Sequence, residues 1–86
     1  MTKIWAKTML EHKITRSFVL SSVDKFSTAY FFDYLSTICH ELDIPTPVIL
    51  KTHAAHFEQF NIVRFKQNDF VESIDFDMLV LENASE

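Results

Sequence analysis

Glycine is missing altogether from these 86 residues. A Walker phosphate loop, a dinucleotide fingerprint and a nucleophile elbow each need glycine where backbone approaches phosphate or turns with φ > 0. P-loop ATPases, Rossmann oxidoreductases and α/β-hydrolases are thereby excluded. Cysteine occurs once, as Cys39, so no internal disulfide can form and a reducing compartment fits. Cations are outnumbered, eight against twelve carboxylates, and the electrostatic footprint of general nucleic-acid binding is lacking. Long apolar runs are lacking too. No stretch approaches the roughly 20 residues of a membrane helix, and the opening MTKIWAKTML places lysines where a signal core would be apolar. The expected location is the cytoplasm.

What is present in quantity is phenylalanine, nine residues in a chain that is 48% apolar. The length suits one core, and surplus aromatic surface favours self-association. Residues 3–10 and 14–21 alternate and are rich in β-branched and aromatic side chains, which predicts a hairpin across Glu11, His12 and Lys13. Pairing Leu10 with Ile14 around a three-residue loop sets Ile4, Ala6 and Leu10 opposite Leu20, Phe18 and Ile14, one mostly apolar face. A two-residue loop would instead put Trp5, Phe18, Met9 and Ile14 on one face together with Lys3, Lys7 and Arg16. The first register is preferred because fewer charges point inward, although an ordinary residue must then turn left-handed.

Ser27 is the expected N-cap of a first helix, with Phe26 and Phe31 spaced as a hydrophobic staple and Phe31, Tyr34, Leu35, Ile38 and Leu42 as its buried stripe. Pro45 stops that helix. Thr46 and Pro47 are read as cap and first position of a second helix reaching about Gln59 and burying Val48, Leu50, Ala54 and Phe57. Residues 61–65 predict a strand, 67–69 a turn, 70–76 an irregular segment with Phe70, Val71, Ile74 and Phe76 inward, and 77–82 a last strand; residues 83–86 are expected to fray. The predicted fold is a single α+β domain over 1–86, in the order ββααββ, with an antiparallel sheet packed on one face by two helices. The segments FFDYLSTICHELDIPTPVIL and DFVESIDFD, with HFEQFNIVRF between them, resemble a family of short uncharacterised bacterial proteins of the Firmicutes type over almost the whole chain. The resemblance implies a free-standing bacterial polypeptide and carries over no functional residue.

Few residues invite chemistry. His53 and His56 share one side of the second helix and are candidate metal ligands, with His40, Glu41 or Cys39 as further donors, but Ala54 stands where the metalloprotease signature has glutamate. The commoner meaning of such a pair is two solvated histidines. Cys39 reads as a buried, inert thiol, because the neighbouring His40 projects about 100° away around the helix. Asp69, Glu72, Asp75, Asp77 and Glu82 read as solvated acids. Arg64 and Lys66 share one face of the third strand and are expected to pair with Asp or Glu on a neighbouring strand, with anion binding as the alternative. Lys3, Trp5 and Lys7 share the outer face of the hairpin, a candidate interaction surface on which a base can stack or which another layer can cover. The basic hairpin and acidic C-terminal third suggest docking between subunits. The function expected is a non-enzymatic intracellular interaction module working through protein-protein contact as a homodimer, without cofactor. The alternatives are a metal-binding protein using His53 and His56, and single-stranded nucleic-acid binding through Trp5, Lys3, Lys7 and Arg16.

Overall fold

The computed structural model describes residues 1–84. Strands β1 (Thr2–Leu10) and β2 (Lys13–Ser22) form the hairpin, helices α1 (Phe31–Leu42) and α2 (Lys51–Phe60) follow, and β3 (Ile62–Lys66) and β4 (Met78–Asn83) complete an α+β domain in the order ββααββ. All three strand pairings are antiparallel, and the sheet order is β2-β1-β4-β3. β4 therefore inserts beside β1, and the first and last strands lie side by side in the middle of the sheet.

The hairpin combines both registers that the alternation allowed. Ile4 pairs with Leu20 and Ala6 with Phe18, as the three-residue loop required, yet beyond Thr8 the register shifts and Met9 pairs with Ile14 and Leu10 with Lys13. The connection is a two-residue turn, Glu11 and His12, with φ of 52° and 67°. Positive φ at both positions gives the twist that matches two right-twisted strands. Without glycine the turn carries a steric cost, and the Glu11 N–H is held by Asp77 Oδ2 at 2.9 Å. The residue that reconciles the registers is Thr15, extruded as a bulge whose hydroxyl lies 2.7 Å from that of the fully buried Thr8. A bulge reverses the faces beyond it. Ile14, expected inward, thus stands on the Met9 side of the sheet, and Arg16 on the Thr8 side.

Helix α1 forms as its sequence dictates. Ser27 Oγ accepts from Ala29 N–H and opens a single 3₁₀ turn, Thr28–Tyr30, that leads into the helix. Phe26 meets Phe31 edge-on with ring centres 6.5 Å apart, the expected staple. Phe31, Leu35, Ile38, Cys39 and Leu42 are buried, and Asp43 closes the helix with φ of 56°. Tyr34, placed in the stripe, is half-buried beside Phe26 and Tyr30.

The proline corner differs from expectation. Residues 44–50 run extended, and α2 starts at Lys51. Thr46 is not a cap, because it lies within this segment, four residues ahead of the Leu50 N-cap. Val48 donates its N–H to the Asp69 carbonyl at 2.7 Å, which ties the segment to the chain after β3. Pro47 is buried, while Val48 and Leu50 are exposed. Leu50 has no side-chain acceptor for the first N–H groups of α2, but His53 bonds back to the cap, accepting the Leu50 N–H on Nδ1 at 3.0 Å. That is the reciprocal half of a capping box, with histidine in the usual place of glutamate or glutamine.

The core lies between the helices and one face of the sheet. Ile4 and Ala6 of β1, Val63 and Phe65 of β3, and Leu79 and Leu81 of β4 meet Leu35 and Ile38 of α1 and Phe57 of α2. α1 packs against β2, and α2 against β3 and β4. Phe57 is the single fully buried residue of α2 and stacks against Phe26 and Phe31 at 5.2 and 5.7 Å. In the irregular stretch 70–77, Phe70 and Phe76 are buried edge to face and Ile74 is half-buried. Val71, expected inward, is 87% exposed. Asn83 and Ala84, expected to fray, are instead bonded: Asn83 N–H reaches the Asn61 carbonyl and Ala84 N–H the Lys3 carbonyl. Ser85 and Glu86 lie outside the described residues. No helix among the described residues is long and apolar enough to cross a membrane.

Candidate interaction surface

The two helices cover one face of the sheet, and nothing in the described chain covers the other. Alternation along the strands places Lys3, Trp5, Lys7 and Met9 of β1 on that open face. Pairing adds Val19 and Ile14 from β2, Met78, Val80 and Glu82 from β4, and Ile62, Arg64 and Lys66 from β3. Val80 marks its centre. It is only 5% exposed, yet it stands outside the core cluster, because Lys7 and Arg64 are its cross-strand neighbours on either side. The aliphatic stems of such cations can shield an apolar side chain while their heads stay in water.

Trp5 is half-buried in this face. Lys7 Nζ sits 3.9 Å from the Trp5 ring centre and 3.0 Å from Glu82 Oε1. The ammonium is held between an aromatic face and a carboxylate, so one face of the indole is already occupied. Arg64 is different: it is exposed and makes no ion pair among the described residues. Lys7, Arg64, Met9, Met78 and Val80 line a cleft of about 260 Å³, closed at its corner by Asp77 and His12 and at its far side by Glu82. The strands direct four cations and one carboxylate outward here, Lys3, Lys7, Arg64 and Lys66 against Glu82, and Asp77 adds a second carboxylate at the cleft, while the described residues elsewhere hold four cations and nine carboxylates. Among the described residues this face carries a cationic excess in an acidic protein.

The chain matches no protein-family model, no curated protein and no solved structure. The assignment of a site rests on geometry alone.

The remaining candidates are dispersed. His53 and His56 line a shallow recess beside Arg64 and Lys66. His53 packs on Phe65 with ring centres 4.5 Å apart, uses Nδ1 for the α2 cap, and has Nε2 4.0 Å from Asp69 Oδ1. His56 is exposed and packs on Phe60. Among the described residues no group of three or more His, Cys, Asp or Glu comes together to hold a metal, so His40, Glu41 and Cys39 do not join the pair. Cys39 is buried, and burial pushes its thiol up to about 11 although the Thr46 hydrogen bond lowers it. Raised in this way, it is a poor nucleophile at neutral pH.

Arg16 lies on the helix-covered side, reaching the Leu42 carbonyl at 3.4 Å and Asp75 at 3.7 Å, and is separated from Lys3, Trp5 and Lys7 by the sheet itself. The basic hairpin and the acidic C-terminal third are sequence-distant but spatially interleaved. Lys7 bonds Glu82, Arg16 meets Asp75, and the Glu11 N–H binds Asp77. Two ion pairs, Lys7–Glu82 and Arg16–Asp75, thus join the two regions within one chain. The outward residues that sequence reasoning passed over are Ile62, Met78 and Val80, since the run Leu79-Val80-Leu81 reads as core throughout; Met9 and Ile14 join Trp5 only in the two-residue-loop register, and the alternation of Glu82 with Leu81, and of Arg64 with Val63, was the available signal.

Proposed function

We propose that the protein is a non-enzymatic interaction module that binds a protein partner through the open face of its sheet. The observation that carries this reading is the central apolar strip, Met9, Val80 and Met78, set within cations on a sheet face that no helix covers. An apolar strip framed by polar groups is the anatomy of a contact surface. Among the described residues the candidate chemical groups offer little competition: the one thiol is buried and protonated, and His53 and His56 are engaged with Leu50 N–H, Phe65 and Phe60. The cytoplasmic setting and bacterial source belong to the same proposal, and a lone buried thiol fits the first of them.

Self-association enters this reading at a different place. Packing two open faces together would oppose four cations to four cations, a repulsive arrangement. The free edge of β2, ten residues long, offers unpaired backbone to a second copy instead. A homodimer is therefore assigned to the β2 edge and partner binding to the open face.

Hydroxyl-radical footprinting tests the reading, comparing purified protein with the protein inside cells that express it at native level. Met9, Met78 and Trp5 are expected to be protected in cells, while Phe32 and Phe60 on the helical side label equally in both. Equal labelling of Met9, Met78 and Trp5 in the two settings would refute it.

A further inference from the structure

The chemistry of the open face also specifies its partner. We infer that the face receives an acidic, amphipathic protein segment, one whose carboxylate is gripped by Arg64 while neighbouring apolar side chains lie on Met9, Met78 and Val80. The inference rests on the open face being the working surface and adds what that surface recognises.

Three observations lead there. The first is the division of labour among the cations. Lys7 is committed to Glu82 and to the Trp5 ring, whereas Arg64, on the other side of Val80, makes no ion pair among the described residues. A guanidinium offers a planar fork that matches a carboxylate in two parallel hydrogen bonds, and Lys66 two residues along the same strand adds a second positive charge. The acids near the cleft do not neutralise Arg64 from within: Glu82 Oε1 is bonded to Lys7 Nζ, and Asp77 Oδ2 to the Glu11 N–H.

The second observation is the floor. Met9, Met78 and Val80 form it, and Ile14, Val19 and Ile62 extend apolar surface outward along the flanking strands. Methionine side chains adapt to irregular apolar partners. A partner that matches this face must bring apolar groups as well as negative charge, and an acidic amphipathic strand or helix does both.

The third observation separates this partner from a nucleic acid, which also carries negative charge. Base stacking needs an open aromatic face, and the one indole present is capped by Lys7 at 3.9 Å. A phosphate backbone has nothing to set against five or six apolar side chains. Among the described residues away from this face and its cleft, nine carboxylates stand against four cations, a field that repels a long polyanion but acts less on a short segment with isolated carboxylates.

Trp5 is the only tryptophan in the chain and adjoins the cleft through Lys7, so its emission reports occupancy. The experiment titrates the full chain at low salt with a blocked Glu-Leu-Glu-Leu-Glu-Leu peptide, with the Lys-Leu peptide of the same pattern, and with a single-stranded oligo(dT). The acidic peptide is expected to change Trp5 emission saturably, and Arg64→Gln to weaken it by about tenfold, the scale of losing one partner of a charge-assisted pair. Lys66→Gln weakens it by less, and the other two probes give no saturable response. Arg64 is exposed, so circular dichroism of Arg64→Gln should match the parent and leave the comparison clean.

Equal affinity in Arg64→Gln and the parent would overturn the inference, as would tighter binding of oligo(dT) than of the acidic peptide. Absence of any response to the acidic peptide overturns it as well. The footprint then separates the two levels: protection of Met9 and Met78 in cells leaves the open face as a working surface with a partner of other chemistry, and no protection removes both readings together.

Discussion

The attachment of α2 to the sheet depends on Phe57, and its replacement by alanine should be the most damaging single truncation in that helix. Phe57 is 1% exposed and is the only buried residue that α2 contributes, with His53 and Ala54 half-buried beside it. Its ring closes an aromatic group with Phe26 and Phe31, which come from the approach to α1 and from its first turn. Removing the ring takes away its transfer free energy and leaves a cavity between two elements that cannot easily close on each other. Buried Phe→Ala changes cost about 3–5 kcal/mol. A domain of this length has a total stability on the order of 4–13 kcal/mol, so the variant loses a large share of it. With a urea slope of about 1 kcal/mol/M for a small domain, the midpoint should fall by about 3–5 M. Because Phe57→Ala can leave the chain unfolded in buffer, Phe57→Leu, at roughly 1–2 kcal/mol, provides the graded comparison. Phe60→Ala, at a half-exposed ring on the same helix, should stay within about 1 kcal/mol. The assay is urea unfolding followed by far-ultraviolet circular dichroism and Trp5 emission together. Equal losses in Phe57→Leu and Phe60→Ala, or a Phe57→Ala variant with an unchanged midpoint, would refute the assignment of Phe57 as the anchor.

Further expectations concern caps and the thiol. His53→Ala removes the acceptor for Leu50 N–H and should cost about 0.5–2 kcal/mol, and His53→Gln, the customary capping-box residue, should recover most of it; urea midpoints measure both. Cys39 should resist Ellman's reagent in the folded protein and react at once in denaturant. Because the folded thiol is raised to about 11, above an unfolded value of about 8.5, its contribution to stability is complete below the unfolded value and is lost as pH climbs through the folded one. Cys39→Ala should show a smaller loss of stability than the parent between those limits. In hydrogen exchange, a β2 edge used by a second copy predicts slow amides at consecutive β2 positions, whereas a free edge leaves every other amide fast.

Local signals made half of this architecture legible. Ser27, Phe26 and the stripe from Phe31 to Leu42 announced α1 because capping and helical periodicity are written within a few residues of one another. The hairpin was legible in kind but not in detail. Two registers each explained part of the alternation, and the protein uses both by extruding Thr15, which depends on a buried hydroxyl partner in Thr8 that no pattern of apolar residues reveals. Thr46 and Pro47 looked like a helix start because local propensity favours it. A tertiary partner decided otherwise: the Asp69 carbonyl took the Val48 N–H, from a position far along the chain, and α2 begins only at Lys51. The sheet order was not legible at all, since nothing in β4 states that it pairs with β1 rather than lying at an edge. The candidate surface was half visible for that reason. Lys3, Trp5 and Lys7 were readable on one strand, but Arg64, Lys66, Met78 and Val80 join them only once β4 is inserted between β1 and β3.

The central claim is that Trp5 stands on a sheet face that is open and cationic in an otherwise acidic protein. Quenching of its emission by iodide and by caesium, at equal ionic strength in the purified chain, tests this most directly. An open cationic face concentrates the anion and repels the cation, so iodide should quench more strongly than caesium, and Arg64→Glu should narrow the difference. Failure of both ions to quench would mean that the face is covered, and stronger quenching by caesium would mean that it is not cationic; either result contradicts the account.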